Sequence, residues 1–442
     1  MDGRFRGSLL AGLCCLAAAN GAVAETEFSG TVEALLRADD DGKYMNQQLR
    51  LDAEAVYSPE DGESLGFSDE ETDGGRSPEA RVRFWAISDP ADDGIERDNV
   101  ELHTGGVTVF PFENSSVFLG RDYVIWGRAD KVNPVDVVNG EDFTQFLVQD
   151  QQRRKLPNTL VNYTYAREDT KFELIYVPSY EGHLLPIRGT RWCQYRCEVA
   201  SPVTGTQSGF DVTVMDTLDA NDVDSGELSA RFTSRAGRYD YGLVLQSGFD
   251  KFPVYSRTFT GLTSLTLNRE LERREKVGGD VAFTVGEFGI RAEALYQIDS
   301  VLHYLVDTPE FVTDDDGLKD VDQLNWIVGV DWRSSGDLYI NVQYAQNKFL
   351  DVPEEKFFRS SFETLATFQI SDLFLDNDLE LKLTVFYETA DDSHAVSPEA
   401  GYRLSDEARW VTGIYYFEGN EQTFFGEHED NTNVFTYLEY KF

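Results

Sequence analysis

The sequence predicts an all-β fold, a single antiparallel up-and-down β-barrel that spans a membrane. Apolar and polar residues alternate over segments of about ten residues, which gives each strand one lipid-compatible face and one polar face. Short turns alternate with long polar loops, and the chain ends on an aromatic residue, Phe442, at the end of an alternating segment. Because lipid offers the backbone no hydrogen-bond partners, such strands must close on themselves. A soluble antiparallel sandwich also alternates, but long strands and unequal loops disfavour it.

The strongest alternation lies in the C-terminal half, over Leu324–Arg333, Leu338–Tyr344, Leu379–Tyr387 and Asn433–Phe442. Counting back from Phe442 predicts eighteen strands, and sixteen stays possible because the N-terminal segments are weakly patterned. An even number places both termini on the periplasmic side. The predicted strands are 27–37, 46–57, 79–88, 99–109, 115–125, 158–167, 170–178, 227–236, 238–249, 274–285, 287–298, 322–334, 337–349, 359–370, 378–390, 395–404, 408–418 and 431–442.

The connections are of two kinds, as in outer-membrane barrels with short periplasmic turns and long outer loops. Residues 58–76 fit this scheme poorly, because they would form an unusually long periplasmic turn. Short turns are predicted near 236–238, 286–287, 335–336 and 405–406, and long loops near 126–157, 179–226, 250–272, 299–320, 350–358 and 419–430.

The N-terminus predicts export from the cytoplasm. Arg4 and Arg6 precede an apolar stretch, Ser8–Ala19, and Ala22-Val23-Ala24 has the small-x-small pattern of a cleavage site. Residues 1–24 are therefore predicted to be a signal peptide and residues 25–442 the barrel. No later apolar run reaches the roughly 18 residues of a membrane helix. We expect the outer membrane of a Gram-negative cell.

Composition excludes several classes of protein. The chain has 442 residues and a net charge of −40, which argues against nucleic acid as a partner, because phosphate contacts need clustered Lys and Arg. Hydrophobic residues make up 41%, too many for a disordered acidic chain. Outside the cytoplasm, Cys193 and Cys197 are predicted to form a local disulfide. A metal pair is the alternative, although no further His or Cys cluster completes it.

The least generic segment runs from Leu119 to Asp136, with the motifs Gly120-Arg121, Trp126-Gly127 and Asn133-Pro134-Val135-Asp136. Pro134 marks a turn there. Together with Leu156-Pro157 and Tyr176-Val-Pro178, these motifs resemble a family of Gram-negative outer-membrane barrels of unknown function, and the layout is similar to that of alginate-export porins. The resemblance is clearest over residues 115–190. It implies a monomeric channel whose first long loop folds inward as a constriction.

Charge distribution singles out the same segment. Residues 121–200 contain eleven cations and eleven acids, so this window is neutral in a strongly acidic chain. Rings of Arg and Lys favour anions in a pore, whereas rings of Asp and Glu favour cations. Alternatively, the charges pair with each other on a solvated loop and discriminate nothing. The pore-constriction candidates are Arg121, Arg128, Lys131, Arg153, Arg154 and Lys155, opposite Asp130 and Asp136.

No catalytic signature is evident, so we expect no enzyme and no cofactor. The five histidines are scattered, and none belongs to a His-Glu-x-x-His motif. Gly62-Glu-Ser-Leu-Gly66 matches Gly-x-Ser-x-Gly, but it lacks the buried strand and the helix of a nucleophile elbow. Acidic clusters such as Asp39–Gly42 lack the full register of a calcium loop, so no metal site is predicted.

Three functions remain open from the sequence. The leading hypothesis is a passive channel for polar or anionic solutes, which includes export of an acidic polysaccharide. The second is uptake of a hydrophobic, lipid- or sterol-like molecule, suggested by inward positions at Ile327, Tyr339, Phe386 and Phe435. The third is a barrel scaffold around a periplasmic partner, which would need a wide lumen. The partners common to the first two are outer-membrane lipid and the transported solute.

Overall fold

The structure is a computed structural model. It describes residues 26–58, 77–91, 99–149, 151–179, 181–186, 188–194, 197, 204–207, 210–216, 226–261, 263–303, 317–352 and 362–442. The predicted signal peptide, the Gly62–Gly66 motif and most of the 58–76 stretch lie outside these residues.

Eighteen strands form one closed antiparallel barrel, which confirms the predicted fold class and strand number. Each barrel strand pairs with its neighbours in the chain, and β1 closes the ring by pairing with β22. The described residues form these eighteen barrel strands and four further strands, β8, β9, β12 and β13, which lie outside the barrel. In chain order the strands are β1 (Thr26–Asp39), β2 (Tyr44–Tyr57), β3 (Glu79–Ser88), β4 (Asn99–Val109), β5 (Ser115–Asp122), β6 (Asn158–Arg167), β7 (Thr170–Val177), β8 (Gly205–Gln207), β9 (Phe210–Asp216), β10 (Glu227–Ala236), β11 (Tyr239–Phe249), β12 (Val254–Phe259), β13 (Ser264–Glu270), β14 (Arg273–Val285), β15 (Phe288–His303), β16 (Leu318–Arg333), β17 (Tyr339–Phe349), β18 (Thr364–Phe374), β19 (Leu379–Glu388), β20 (Ser393–Arg403), β21 (Ala408–Glu418) and β22 (Asn433–Lys441).

The alternation of the sequence becomes the two faces of the barrel wall. Along β2, Gln48 and Arg50 are buried in the interior, whereas Leu49 between them is 44% exposed on the outer face. Leu243, Val434 and many other large apolar side chains are exposed in the same way. An apolar outer belt around a closed barrel is the surface that a lipid bilayer covers, and this is the architecture of an outer-membrane protein. Among the described residues, no helix has the length and apolar character needed to cross a membrane.

The short turns lie where the sequence predicts them. Gly237 and Gly286 both adopt a φ of 62°, which lets β10–β11 and β14–β15 reverse over two residues. The prediction of a strand over 359–370 is wrong in its boundaries, because β18 occupies Thr364–Phe374. The turn that follows β18 contains three consecutive residues in left-handed conformation, Leu375–Asn377. No propensity rule favours that conformation at Leu375.

The long loops contain more structure than the sequence predicts. The loops predicted at 179–226 and 250–272 contain β8, β9, β12 and β13, which form a separate four-stranded sheet. In that sheet β13 pairs with β9 in parallel, a long-range contact that a local pattern does not encode. The loop predicted at 299–320 is also shorter, because β15 and β16 keep their ladder beyond an irregularity between Gln297 and Ser300.

Candidate functional site

The connection between β5 and β6, residues 123–157, folds into the barrel and is called the inner loop. Its first part packs against the interior wall through apolar side chains. Trp126 is 2% exposed, and Val135 and Val138 are almost completely buried. They form one cluster with wall residues of β5, β6, β7, β11 and β15: Phe118, Leu160, Ile175, Val177, Val244 and Leu295. Burial of this surface holds the inner loop inside the lumen.

Side chains of the barrel wall also form hydrogen bonds with backbone groups of the inner loop. Gln246 Nε2 donates to the carbonyl oxygen of Val137 (2.9 Å), and the amides of Arg128 and Ala129 donate to Glu293 Oε1, the latter over 2.7 Å. Gly127, between the wall and the loop, has a φ of 99°. A Cβ at this position would lie 2.7 Å from Glu293 Oε1, which explains the Trp-Gly motif in physical terms.

Wall residues of opposite charge anchor the arginine and the aspartate that follow Gly127. Arg128 Nε lies 2.6 Å from Asp280 Oδ2, and Arg231 donates to the other oxygen of Asp280 over 2.6 Å. Asp280 has no exposed side-chain surface. Asp130 Oδ1 lies 2.8 Å from Arg291 Nη1, and Asp130 also accepts a hydrogen bond from Asn341 Nδ2 (2.9 Å). These contacts place Arg128 against β10 and β14, and Asp130 against β15 and β17.

A buried lysine joins the end of the inner loop to its middle. Lys155 Nζ lies 2.8 Å from Asp136 Oδ2 and 2.7 Å from Glu141 Oε1, and its side chain is 1% exposed. Burial alone would lower the pKa of Lys155, but the two carboxylates outweigh burial and raise it. Burial alone would raise the pKa of Glu141, but Lys155 and Arg154 outweigh it and hold it below its usual range. We therefore describe Lys155 and Glu141 as a charged pair.

Arg153 reaches across the lumen to the closure of the barrel. It lies in the short helix α1 (Gln151–Arg154), and its Nη1 lies 2.7 Å from Glu33 Oε2 on β1. Its Nη2 lies 3.4 Å from Glu439 Oε2 on β22. The inner loop thus leaves the wall at β5, contacts β14, β15 and β17, and ends against β1 and β22.

The predicted constriction residues therefore occupy four surroundings. Asp130, Lys131, Arg153 and Arg154 border the cavity that the inner loop leaves inside the barrel, called the central cavity. Arg128 points into the wall, and Asp136 and Lys155 are buried with each other. Arg121 lies away from these residues and pairs with Glu181 over 2.9 Å. The alternative interpretation expected these charges to pair with each other on a solvated loop. Lys155 and Asp136 do pair with each other, but Arg128, Asp130 and Arg153 pair with residues of the barrel wall. Their role as a constriction stays a prediction.

A second loop, residues 419–432 between β21 and β22, also folds inward, which sequence reasoning missed. Phe425 is completely buried, and Phe424 is 7% exposed. Phe146 of the inner loop lies among these rings, with ring centroids 5.3 Å from Phe424 and 4.1 Å from His428. The signal available was the apolar pair Phe424-Phe425 in an otherwise polar loop. The two inward loops hold each other through this aromatic cluster.

The connection that follows β7 covers the same cluster. Trp192, 5% exposed, packs edge-on against Phe417 with centroids 6.5 Å apart. The Sγ atoms of Cys193 and Cys197 are 2.00 Å apart, so the structure places the predicted disulfide beside Trp192. Arg191 Nη2 lies 3.0 Å from Asp39 Oδ2. These contacts fasten this connection to β1 and β21.

Between the inward loops and the wall lies the central cavity, with a volume of about 650 Å³. Its charged residues are balanced in sign, and aromatic side chains form part of its wall. The cations are Arg37, Arg50, Lys131, Arg153, Arg154 and Lys382, and the acids are Glu33, Asp130, Glu141, Glu399, Glu427 and Glu439. The aromatic residues include Phe146, Phe386, Tyr415, Phe424, Phe435 and Tyr437.

We expect the inner loop to lose stability in acid through His183. Its Nδ1 accepts a hydrogen bond from the Glu141 amide (2.9 Å), and burial lowers its pKa to about 3, with Glu141 opposing and Lys251 reinforcing the shift. In the unfolded chain His183 has a pKa of about 6.5, so it binds a proton between pH 6.5 and pH 3. In the folded protein His183 stays neutral over this range. Stability should therefore fall by up to about 1.4 kcal/mol per pH unit from pH 6.5 toward pH 3.

The measurement is the melting temperature at pH 7 and pH 4 for the wild type and His183→Asn. The asparagine amide oxygen retains an acceptor near the Glu141 amide but does not titrate. The variant should lose less stability on acidification than the wild type. Equal losses would show that His183 does not couple to unfolding.

Comparisons with known proteins extend to fold alone. Neither a family model nor a curated protein matches the chain. Among solved structures, OccAB3 of Acinetobacter baumannii is 8% identical, with 95% of this chain and 98% of that chain covered at a TM-score of 0.50. OccK11 (OpdR) of Pseudomonas aeruginosa is 7% identical, with 94% and 95% covered and a TM-score of 0.48. OmpF of Salmonella typhi, solved with daunomycin, is 10% identical, with 94% and 97% covered and a TM-score of 0.45.

The likeness to OccAB3 agrees with the outer-membrane β-barrel fold found here. The similarity to alginate-export porins and the motif family at residues 115–190 stay predictions.

Proposed function

We propose that the protein is a passive outer-membrane channel for small polar solutes, anions among them. The observation that carries this proposal is the inner loop, which narrows the lumen to a cavity lined by charged side chains. Ion pairs hold those side chains in place, for example Arg153 with Glu33 and Asp130 with Arg291. Fixed charges at a narrowing discriminate among solutes by sign and size.

The two inward loops favour small solutes over an exported acidic polysaccharide. Passage of a polymer would require the aromatic contacts between Phe146 and Phe424 to separate. The same loops disfavour a scaffold around a periplasmic partner, because that function needs an empty lumen. Phe386 and Phe435 also border the cavity, so a solute with an apolar part would contact aromatic side chains there.

Replacing Arg153 and Arg154 together with alanine tests the proposal. The double variant removes two cations from the cavity and leaves Glu33, Glu439 and Glu141 less neutralised. We expect the ratio of potassium to chloride permeability to rise several-fold, measured as a reversal potential across a planar bilayer under a KCl gradient.

The matched control removes two arginines at the short-turn end, Arg235 and Arg403. Both make exposed ion pairs, with Asp240 and Asp378, outside the central cavity. Their loss should change selectivity little. A barrel that conducts no current would refute the channel, and a strong cation preference unaltered by Arg153→Ala plus Arg154→Ala would refute the anionic part.

A further inference from the structure

A second cavity, with a volume of about 320 Å³, lies beside the central cavity. The inner loop, the connection between β11 and β12, and the inward faces of β15, β16 and β17 border it. The two cavities share lining residues, among them Pro134, Asn325, Asn347 and Phe362, so they are contiguous. A solute in the lumen therefore has the second cavity next to it.

The charged side chains that border the second cavity are already neutralised. The ion pairs are Lys251 with Glu227 (2.6 Å), Lys276 with Asp250 (3.8 Å), and Lys155 with Asp136 and Glu141 (2.8 and 2.7 Å). His183 and His303 each accept a hydrogen bond from a backbone amide through one ring nitrogen, so that nitrogen carries no proton. Recognition in this cavity must therefore come from neutral groups.

Amide side chains on β15 and β16 supply those neutral groups. Gln297 and Gln323 are cross-strand partners, and Gln297 Nε2 donates to Gln323 Oε1 over 3.1 Å. Within the part of the chain that the structure describes, Gln297 Oε1 and Gln323 Nε2 have no partner, and Asn325 makes no side-chain hydrogen bond. All three residues border the cavity. They offer a solute both donors and acceptors, because every amide carries both.

These amides form a compact patch beside an aromatic ring. Gln323 and Asn325 are two residues apart on β16, so they share its inward face and are separated by about 7 Å along the strand. The cross-strand partner of Asn325 on β17 is Asn347, whose Nδ2 donates to the carbonyl oxygen of Phe362 over 3.2 Å. Phe362 itself borders both cavities. Hydrogen bonds and strand pairing thus connect the free amides to an apolar surface.

We propose that the second cavity binds a neutral polyhydroxylated ring of monosaccharide size, whose hydroxyl groups bond to Gln297, Gln323 and Asn325 and whose apolar face contacts Phe362. This inference rests on the proposed channel, because it names a class of solute that the channel would select. A hydroxyl both donates and accepts, so neighbouring hydroxyls match neighbouring amides. The C–H face of a sugar ring is apolar, and its burial against Phe362 adds to affinity.

The test is a ligand-observed NMR titration of the purified full-length barrel in a detergent without a sugar headgroup. Glucose has a ring and many hydroxyl groups, glycerol has hydroxyl groups without a ring, and tetrahydropyran-2-methanol has the ring with one hydroxyl group. Binding of each probe to empty micelles is subtracted. We expect glucose to bind at least about fivefold more tightly than either other probe, because only glucose makes both kinds of contact.

Replacing Gln323 with methionine and Asn325 with leucine removes hydrogen-bonding groups while nearly preserving side-chain size. We expect this double variant to bind glucose at least about tenfold more weakly, the effect of losing two neutral hydrogen bonds. The matched control is Asn162→Leu plus Gln369→Met. Asn162 lies opposite inward Phe118 and Gln369 opposite inward Asn341, so both face the lumen, but neither borders either cavity. The affinity of the control for glucose should stay within about twofold of wild type.

Equal binding of the three probes by the wild type would overturn the proposal without any variant. Unchanged glucose binding by a folded Gln323→Met plus Asn325→Leu barrel would overturn it as well, and the melting temperature shows whether that variant is folded. Because the titration needs no conduction, a barrel that binds glucose but carries no current refutes only the channel. A conducting barrel that does not bind glucose refutes only this inference.

Discussion

Replacing Lys155 with methionine is expected to detach the inner loop and raise the single-channel conductance several-fold. The substitution leaves Asp136 buried without a cation and leaves Glu141 with Arg154 alone, at 3.3 Å. Removing one partner of a buried ion pair costs about 3–5 kcal/mol. The carboxylates can recover hydration if the loop leaves the wall. Conductance in a planar bilayer and the melting temperature of the purified barrel measure the two effects.

Lys171→Met provides the comparison. Lys171 pairs with Glu173 over 2.8 Å, but its side chain is 47% exposed, so its loss should cost only about 0–1 kcal/mol. Wild-type conductance and wild-type stability in Lys155→Met would contradict the role of Lys155 in holding the loop.

Replacing Asp280 with asparagine is expected to destabilise the barrel by a similar amount and to shift its selectivity toward anions. Asp280 is the shared partner of Arg128 on the inner loop and Arg231 on β10. Asparagine keeps the shape of the side chain but leaves two arginines without their carboxylate, for which about 3–5 kcal/mol is the expected cost. The reversal potential under a KCl gradient should move opposite to that of the Arg153/Arg154 double variant.

Asp240→Asn tests whether loss of any aspartate–arginine pair has this effect. Asp240 pairs with Arg235 over 2.7 Å at the exposed β10–β11 turn. We expect it to change stability by less than about 1 kcal/mol and selectivity not at all. If Asp240→Asn and Asp280→Asn behave alike, burial of Asp280 is not what stabilises the inner loop.

The sequence was sufficient to predict the wall of the barrel. In an alternating strand, the polarity of each residue indicates which face of the barrel wall it occupies. The membrane face of Leu324–Arg333 can therefore be assigned without knowledge of the neighbouring strands. The turn glycines Gly237 and Gly286 then mark where strands reverse. The same argument fails at Leu375, where the backbone is left-handed at a residue type that does not favour that conformation.

The lumen could be predicted only in part, because its contacts join distant parts of the chain. Counting charges in residues 121–200 singled out the inner loop and suggested that its cations face Asp130 and Asp136. Lys155 does pair with Asp136, but Asp130 pairs with Arg291 of the wall, and Arg153 pairs with Glu33 and Glu439. Which residues become partners depends on the stagger of the strands around the barrel. The alternating pattern within one strand does not determine that stagger.

The pairing of β1 with β22 also has a consequence for how the protein is made. Thr31 lies opposite Lys441, and Gly30 and Phe442 exchange two backbone hydrogen bonds of 3.0 Å. Contacts between the two ends of a chain are the slowest to form, because loop closure precedes any gain from pairing. Until β22 has been synthesised and exported, β1 retains an open edge that can pair with other chains. Closure of the barrel is therefore a late event, and a chain truncated before β22 cannot close the barrel.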